Sequence, residues 1–371
     1  MKRNPSILLL LFLFFSFASV SFAQSATPSQ TNLANLPEAD LLIYISPQRT
    51  LNDFIPKVMP AKEVADMQAG FAEMKKAVGV DPATVEYIVV AVRFHRPTAD
   101  LSFVAPDIMA VVGGDFSSES LVSLAQLTLQ DKLLSEKHGA MTINFMPIEP
   151  IAKEAEKTPL LKPYVNVAAV ALTPNSLAIG NYGYIKAAVD AAEGTGARIK
   201  PEHLQSLMRD PNVLMAATGA PWTSFARSFG LLGTDAAPRE GRFDSNFGNF
   251  YAAATITGNN YSLRGAINAD NPDTAKIFAN LLTSLMKNED FRSGFKSGGA
   301  QINEKAAIAI LESLKLTARE SEIVVEMDVP LQVLMDYIHE QSKPKAEPAS
   351  SSAPAKKKPA PRRPTNRKRR N

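Results

Sequence analysis

The sequence predicts an α+β protein, built as two related modules of mainly antiparallel sheet packed with helices, in the neighbourhood of ferredoxin-like folds. Three observations lead there. Short apolar runs bounded by turn residues alternate with longer runs of helical period. The stretch Tyr251 to Met286 reads as strand, tight turn, strand and helix, and a stretch starting at Tyr87 repeats that order. Finally, Pro47, Pro221 and Pro330 each follow a strand-like run and are followed at +4 and +8 by Leu51 and Ile55, Phe225 and Phe229, and Leu334 and Ile338. Proline suits the first helical position because its missing N–H has no partner there anyway.

The two ends are set apart before the elements begin. Lys2 and Arg3, the apolar run Ile7 to Phe22 and the small residues around Ala23 have the form of a secretory signal over 1–23, with a mature start near Gln24. An uncleaved anchor is the alternative, but sixteen residues are short for a bilayer span. With no cysteine, neither a disulfide nor a cysteine-linked lipid is available. From residue 342 to 371 the chain becomes a tail of Pro, Ala, Ser, Lys and Arg without apolar periodicity, expected to be disordered. That tail holds 11 Lys or Arg against one Glu, so removing its +10 and the leader's +2 from the overall +3 leaves Gln24 to Gln341 at −9. An acidic body carries a basic arm.

Residues 24–35 form a polar lead-in. LLIYIS from Leu41 reads as a buried strand, and Pro47 opens a helix whose face is Leu51, Phe54, Ile55 and Val58. A second helix places Val64, Met67, Phe71, Met74 and Val78 on one seam and stops at Gly79. Two heptads are too few for a free coiled coil, so this seam is expected on the sheet. YIVVAVRF, IMAVVGGDF and the helix SSESLVSLAQLTLQ follow, then the strand MTINFMPI. The runs VNVAAVAL and SLAIG turn at Thr173-Pro174-Asn175 into a helix with Ile185, Ala188, Val189 and Ala192 aligned, and a linker holds a short helix at 202–208.

The second half restarts with VLMAATGA, then a helix bearing Trp222, Phe225, Ala226 and Phe229. In the Tyr251 unit, Gly258, Asn259 and Asn260 supply hairpin residues able to take positive φ, and Ala275, Phe278, Ala279, Leu282, Leu285 and Met286 align on one helical face. A helix at 304–312, the hairpin LKLTARESEIVVEMD and a last helix complete the body. The module boundaries fall at 36–205 and 206–341. On LLIYISPQRTL, LTPNSLAIGNYGYIKAAVDAA and EIVVEMDVPLQVLMDYI, the chain resembles uncharacterised exported bacterial proteins with a duplicated α+β domain of unknown function. The resemblance spans roughly Leu36 to Gln341 and implies no catalytic residues.

Residues with chemistry to offer are scattered. His95, His138, His203 and His339 lie in separate elements with no HExxH, which argues against a histidine metal site and for surface positions. Ser293 to Lys296 and Lys296 to Gly298 resemble SxxK and KSG elements, but here they share one lysine in one loop. No GxSxG or GxxxxGK[ST] occurs, and Gly113-Gly114-Asp115 and Gly180 to Gly183 read as strand-to-helix turns, the second with some potential to hold an anion. Asp270 and Asp273 suit a helix start rather than a calcium loop, and Trp222 suits a core. No catalytic, cofactor or metal residue is therefore assigned.

Lys356, Lys357, Lys358, Arg362, Arg363, Arg367, Lys368, Arg369 and Arg370 are the candidate polyanion contacts, held apart by Pro and Ala so that the arm presents charge without folding. Anionic lipid, surface polysaccharide and nucleic acid all fit such an arm; a solubilising tail lying on the acidic body is the plainer reading. The expectation is a periplasmic or secreted, non-enzymatic binding or scaffolding protein. A hydrolase with a site that spacing does not reveal, and an envelope chaperone or inhibitor using sheet edges, stay open as alternatives.

Overall fold

The computed structural model describes residues 33–79, 81–94, 106–207, 212–219, 247–288 and 304–342. The signal-like segment, the helix around Trp222, the Ser293–Gly298 loop and the basic tail lie outside them.

Twelve strands build one sheet. They are β1 (Leu41–Ile45), β2 (Val85–Arg93), β3 (Asp107–Gly114), β4 (Leu134–His138), β5 (Met141–Pro147), β6 (Asn166–Thr173), β7 (Ser176–Asn181), β8 (Met215–Gly219), β9 (Phe247–Thr257), β10 (Asn260–Ala269), β11 (Lys315–Arg319) and β12 (Glu322–Pro330). Their order is β11-β12-β10-β9-β8-β1-β2-β3-β7-β6-β5-β4, and every neighbouring pair is antiparallel. The helices used below are α1 (Ala61–Val78), α2 (Ser118–Leu129), α3 (Tyr182–Glu193), α4 (Pro201–Leu207), α5 (Pro272–Lys287), α6 (Glu304–Ser313) and α7 (Leu331–Ser342). The fold is α+β.

Read outward from the β1–β8 pair, the strands on the two sides follow the same order. From the seam, one half runs β1, β2, β3, β7, β6 and the other β8, β9, β10, β12, β11. A helix follows the third strand in both, α2 and α5, and another follows the fourth, α3 after β7 and α7 after β12. Among the described residues only the first half adds a hairpin, β4–β5, at its margin. At the seam Ile43 pairs with Ala217 in the middle of the antiparallel register, so a local two-fold axis passes between them. The strands that start near Tyr87 and Tyr251, β2 and β9, are both second from the seam.

Three local expectations change. The seam of α1 packs on Leu51 and Ile55, with Phe71, Met67 and Met74 closing a small separate cluster, instead of joining the sheet's core. Most of α1 stays exposed, since this small cluster is what its apolar seam packs on. Pro330 ends β12, and the helix begins one residue later at Leu331, whose N–H donates to the carbonyl of Asn259 at 2.8 Å. Finally, the β9–β10 turn takes positive φ only at Gly258 (+61°), the pattern of a turn that needs glycine at its first central position alone.

Candidate functional site: an apolar face of the sheet

Side chains alternate across a strand, so the pairing register sorts the sheet into two faces. The inner face carries Leu42 and Tyr44 of β1, Val89 and Ala91 of β2, and Met109 and Val111 of β3. Helix α3 lays Tyr184, Ile185, Ala188 and Val189 on these and on Val170 and Ala178, and Leu207 of α4 joins the same cluster with Ala216 and Ala253. Leu42, Val89 and Met109 are 0% exposed. This is the core.

The outer face is apolar as well, but far less covered. Ile43 stands beside Val90 on one flank and Ala217 on the other, Val90 beside Ala110, and Ala217 beside Ala252. In the next rows lie Ile45, Ile88, Val112 and Met215, and Leu41, Val92, Ile108 and Phe250. No outer position of these five central strands, from Ile88 to Val92 on β2 and throughout the others, carries a charged side chain. Leu41, Val92, Ala110 and Ala254 are buried, whereas Ile43, Ile45, Ile88, Val90 and Ala217 are half-buried and Ile108 and Met215 are 41% and 42% exposed. An apolar sheet face ordinarily disappears under a layer of helices.

Among the described residues α2 and α5 lie at its two margins, and Phe54, from the helical segment 47–58, reaches Tyr261 with ring centroids 6.1 Å apart. At one, Gln126 of α2 donates to Asn144 Oδ1 at 2.9 Å, and Ser135 Oγ donates to the same oxygen at 2.8 Å, which fastens α2 over β5 and β6. At the other, Ala275, Phe278 and Ala279 of α5 pack on Ile267, Ala318 and Ile323, and Phe278 meets Phe247 edge-on with ring centroids 4.5 Å apart. Both helices also turn apolar residues outward. Leu127 of α2 is 75% exposed, and Ile277, Leu281 and Leu285 of α5, spaced four apart along one line, are 68%, 49% and 44% exposed.

The polar clusters, by contrast, close on themselves. At one end of the inner face Arg93 Nη2 donates to Asp107 Oδ2 at 2.6 Å, Nε donates to the same oxygen at 3.2 Å, and the guanidinium lies 4.7 Å from the Tyr184 ring centre. The Tyr184 hydroxyl donates to the Glu38 carbonyl at 2.9 Å, and burial pushes its pKa up. Burial likewise pushes Tyr44 up to about 12. On the β4–β5 side Lys186 holds Glu136 at 2.7 Å and the Tyr182 hydroxyl donates to the same carboxylate; the Lys186 hydrogen bond, then the Tyr182 one, hold Glu136 below the usual carboxylate range. These contacts dock a hairpin on α3.

The sequence-selected residues fall apart spatially. His138 pairs with Asp190 at 2.8 Å, while His203 is buried, contrary to the surface reading: Nε2 faces Asn249 Oδ1 at 3.3 Å and Nδ1 has no hydrogen-bond partner. The short helix expected within a linker is present as α4, and Leu207 draws it into the core. The Gly114 and Asp115 N–H groups donate to the carbonyls of Asn175 and Thr84, and Asn181 uses Oδ1 for the Ile108 N–H and Nδ2 for the Pro163 carbonyl. Both glycine-containing turns are thereby spent on the backbone. Asn271, between Asp270 and Pro272, caps α5 by accepting from Thr274 N–H. His95, Trp222 and all nine basic candidates from Lys356 to Arg370 lie outside the described residues, and His339 falls in α7. Among the described residues no group of three or more His, Cys, Asp or Glu is placed to hold a metal, and no helix is long and apolar enough to cross a membrane.

Sequence reasoning missed the outer face. Its signal is the lack of alternation in LLIYI, YIVVAV, IMAVV and MAA, which makes both faces of each strand apolar. Such runs announce two covered faces; they do not announce that one is left open.

No family model matches the chain, and no curated protein does. Among solved structures, crystal form III of TP0453 aligns with a TM-score of 0.41 at 10% identity, covering 85% of this chain and 100% of that one. Crystal form I of TP0453 gives 0.40 at 11%, covering 85% and 99%. Likeness at this level carries no inference about function.

Proposed function

We propose that the chain is an exported, non-enzymatic binding protein of the cell envelope, which offers the outer face of its sheet to an apolar partner while its basic tail contacts polyanions. One observation supports this above the rest: an uncharged face five strands wide, with Ile108 and Met215 exposed on it, where a folded body ordinarily buries such surface. Strand addition at the sheet margins is less favoured. The edge strands β4 (LSEKH) and β11 (KLTAR) are each five residues long and carry Lys, Glu and Arg, the features that discourage pairing with a further strand. The hydrolase alternative has less support than the binding reading, since the polar clusters described above are engaged in holding elements together.

The test is binding of an environment-sensitive apolar dye to the whole protein. A saturable fluorescence rise is expected, reduced several-fold in the Ile108→Glu, Met215→Glu double variant, whose sites are exposed enough for the fold to persist by far-UV circular dichroism. A rise that the double variant leaves unchanged overturns the reading.

A further inference from the structure

We draw no further inference here: the strongest candidate, the apolar outer face of the sheet with the outward line of Ile277, Leu281 and Leu285 on α5, belongs to the site already described, and nothing in the structure shows what covers it.

Discussion

Tyr87 stands over Gly113 on the neighbouring strand, so close that a Cβ on the glycine would lie 2.2 Å from the tyrosine Cζ. The ring is 3% exposed and packed in the inner core, with no room to retreat. Gly113→Ala should therefore lower stability by about 1–3 kcal/mol, the usual range for overpacking. In a Tyr87→Leu background the added methyl should cost clearly less. Urea unfolding of the four proteins measures the coupling, and equal costs in both backgrounds would show that the ring is not what excludes the side chain.

Arg93 is held by its planar geometry as much as by charge. Two of its nitrogens converge on Asp107 Oδ2 while the guanidinium faces the Tyr184 ring. Arg93→Lys keeps the charge and loses the fork, so it should destabilise by about 1–2 kcal/mol, and Asp107→Asn by a similar amount. Thermal unfolding at constant salt checks both; a neutral Arg93→Lys would mean that solvent already screens the pair.

Two carboxylates should give opposite pH signatures. Burial, and then repulsion from Asp115, pushes Glu86 above its ordinary pKa, so the folded protein favours its protonated form. Ionised Glu86 therefore opposes folding above the raised folded value, and this penalty is absent below the ordinary one. Glu86→Gln should raise the urea midpoint near neutrality, with the gain fading as pH falls through the carboxylate range. Asp328 is held down by the Ser262 hydroxyl, which donates to it at 2.5 Å, and by Arg264. Its contribution is present above the ordinary value and lost as pH falls through the lowered one. Solvent exposure limits it to a few tenths of a kcal/mol, about the size of an exposed ion pair, and Ser262→Ala should reduce it at neutral pH but not in strong acid.

Gln130 ends α2 at φ 45° and ψ −125°, a region that glycine occupies far more readily than any residue with a Cβ. Gln130→Gly should stabilise the protein by about 1 kcal/mol, offset in part by the greater freedom of glycine in the unfolded chain. A lower melting temperature would show that the glutamine side chain compensates for its own backbone.

The elements with strong local signals were legible in sequence. Proline and glycine punctuation located β1, the β9–β10 turn and the start of α5. What stayed hidden depends on contacts distant in the chain. LSEKH (β4) reads as polar because an edge strand is wet on both sides, and it pairs only because Met141 to Phe145 lies beside it. The periodic seam of α1 says that one face is buried without naming the partner, here Leu51 and Ile55. His203 is buried because α4 is packed by Leu207, a context that a short helix in a polar stretch does not reveal. The open face is the extreme case. Composition records what a surface is made of, and only the arrangement of helices decides whether it is left bare.

The pairing of β1 with β8 makes the chain a tethered dimer of its own halves. Each half ends at the seam in a short apolar strand, LLIYI or MAATG, without the lysines and glutamates that blunt β4 and β11. These two edges are satisfied only by each other, and the connection from α3 to β8 keeps them at high effective concentration. Were the two to part, each edge would be an unpaired apolar strand, the kind of edge that templates pairing with another chain. The seam that unites the sheet is thus also the place where its parting would leave the chain most open to another.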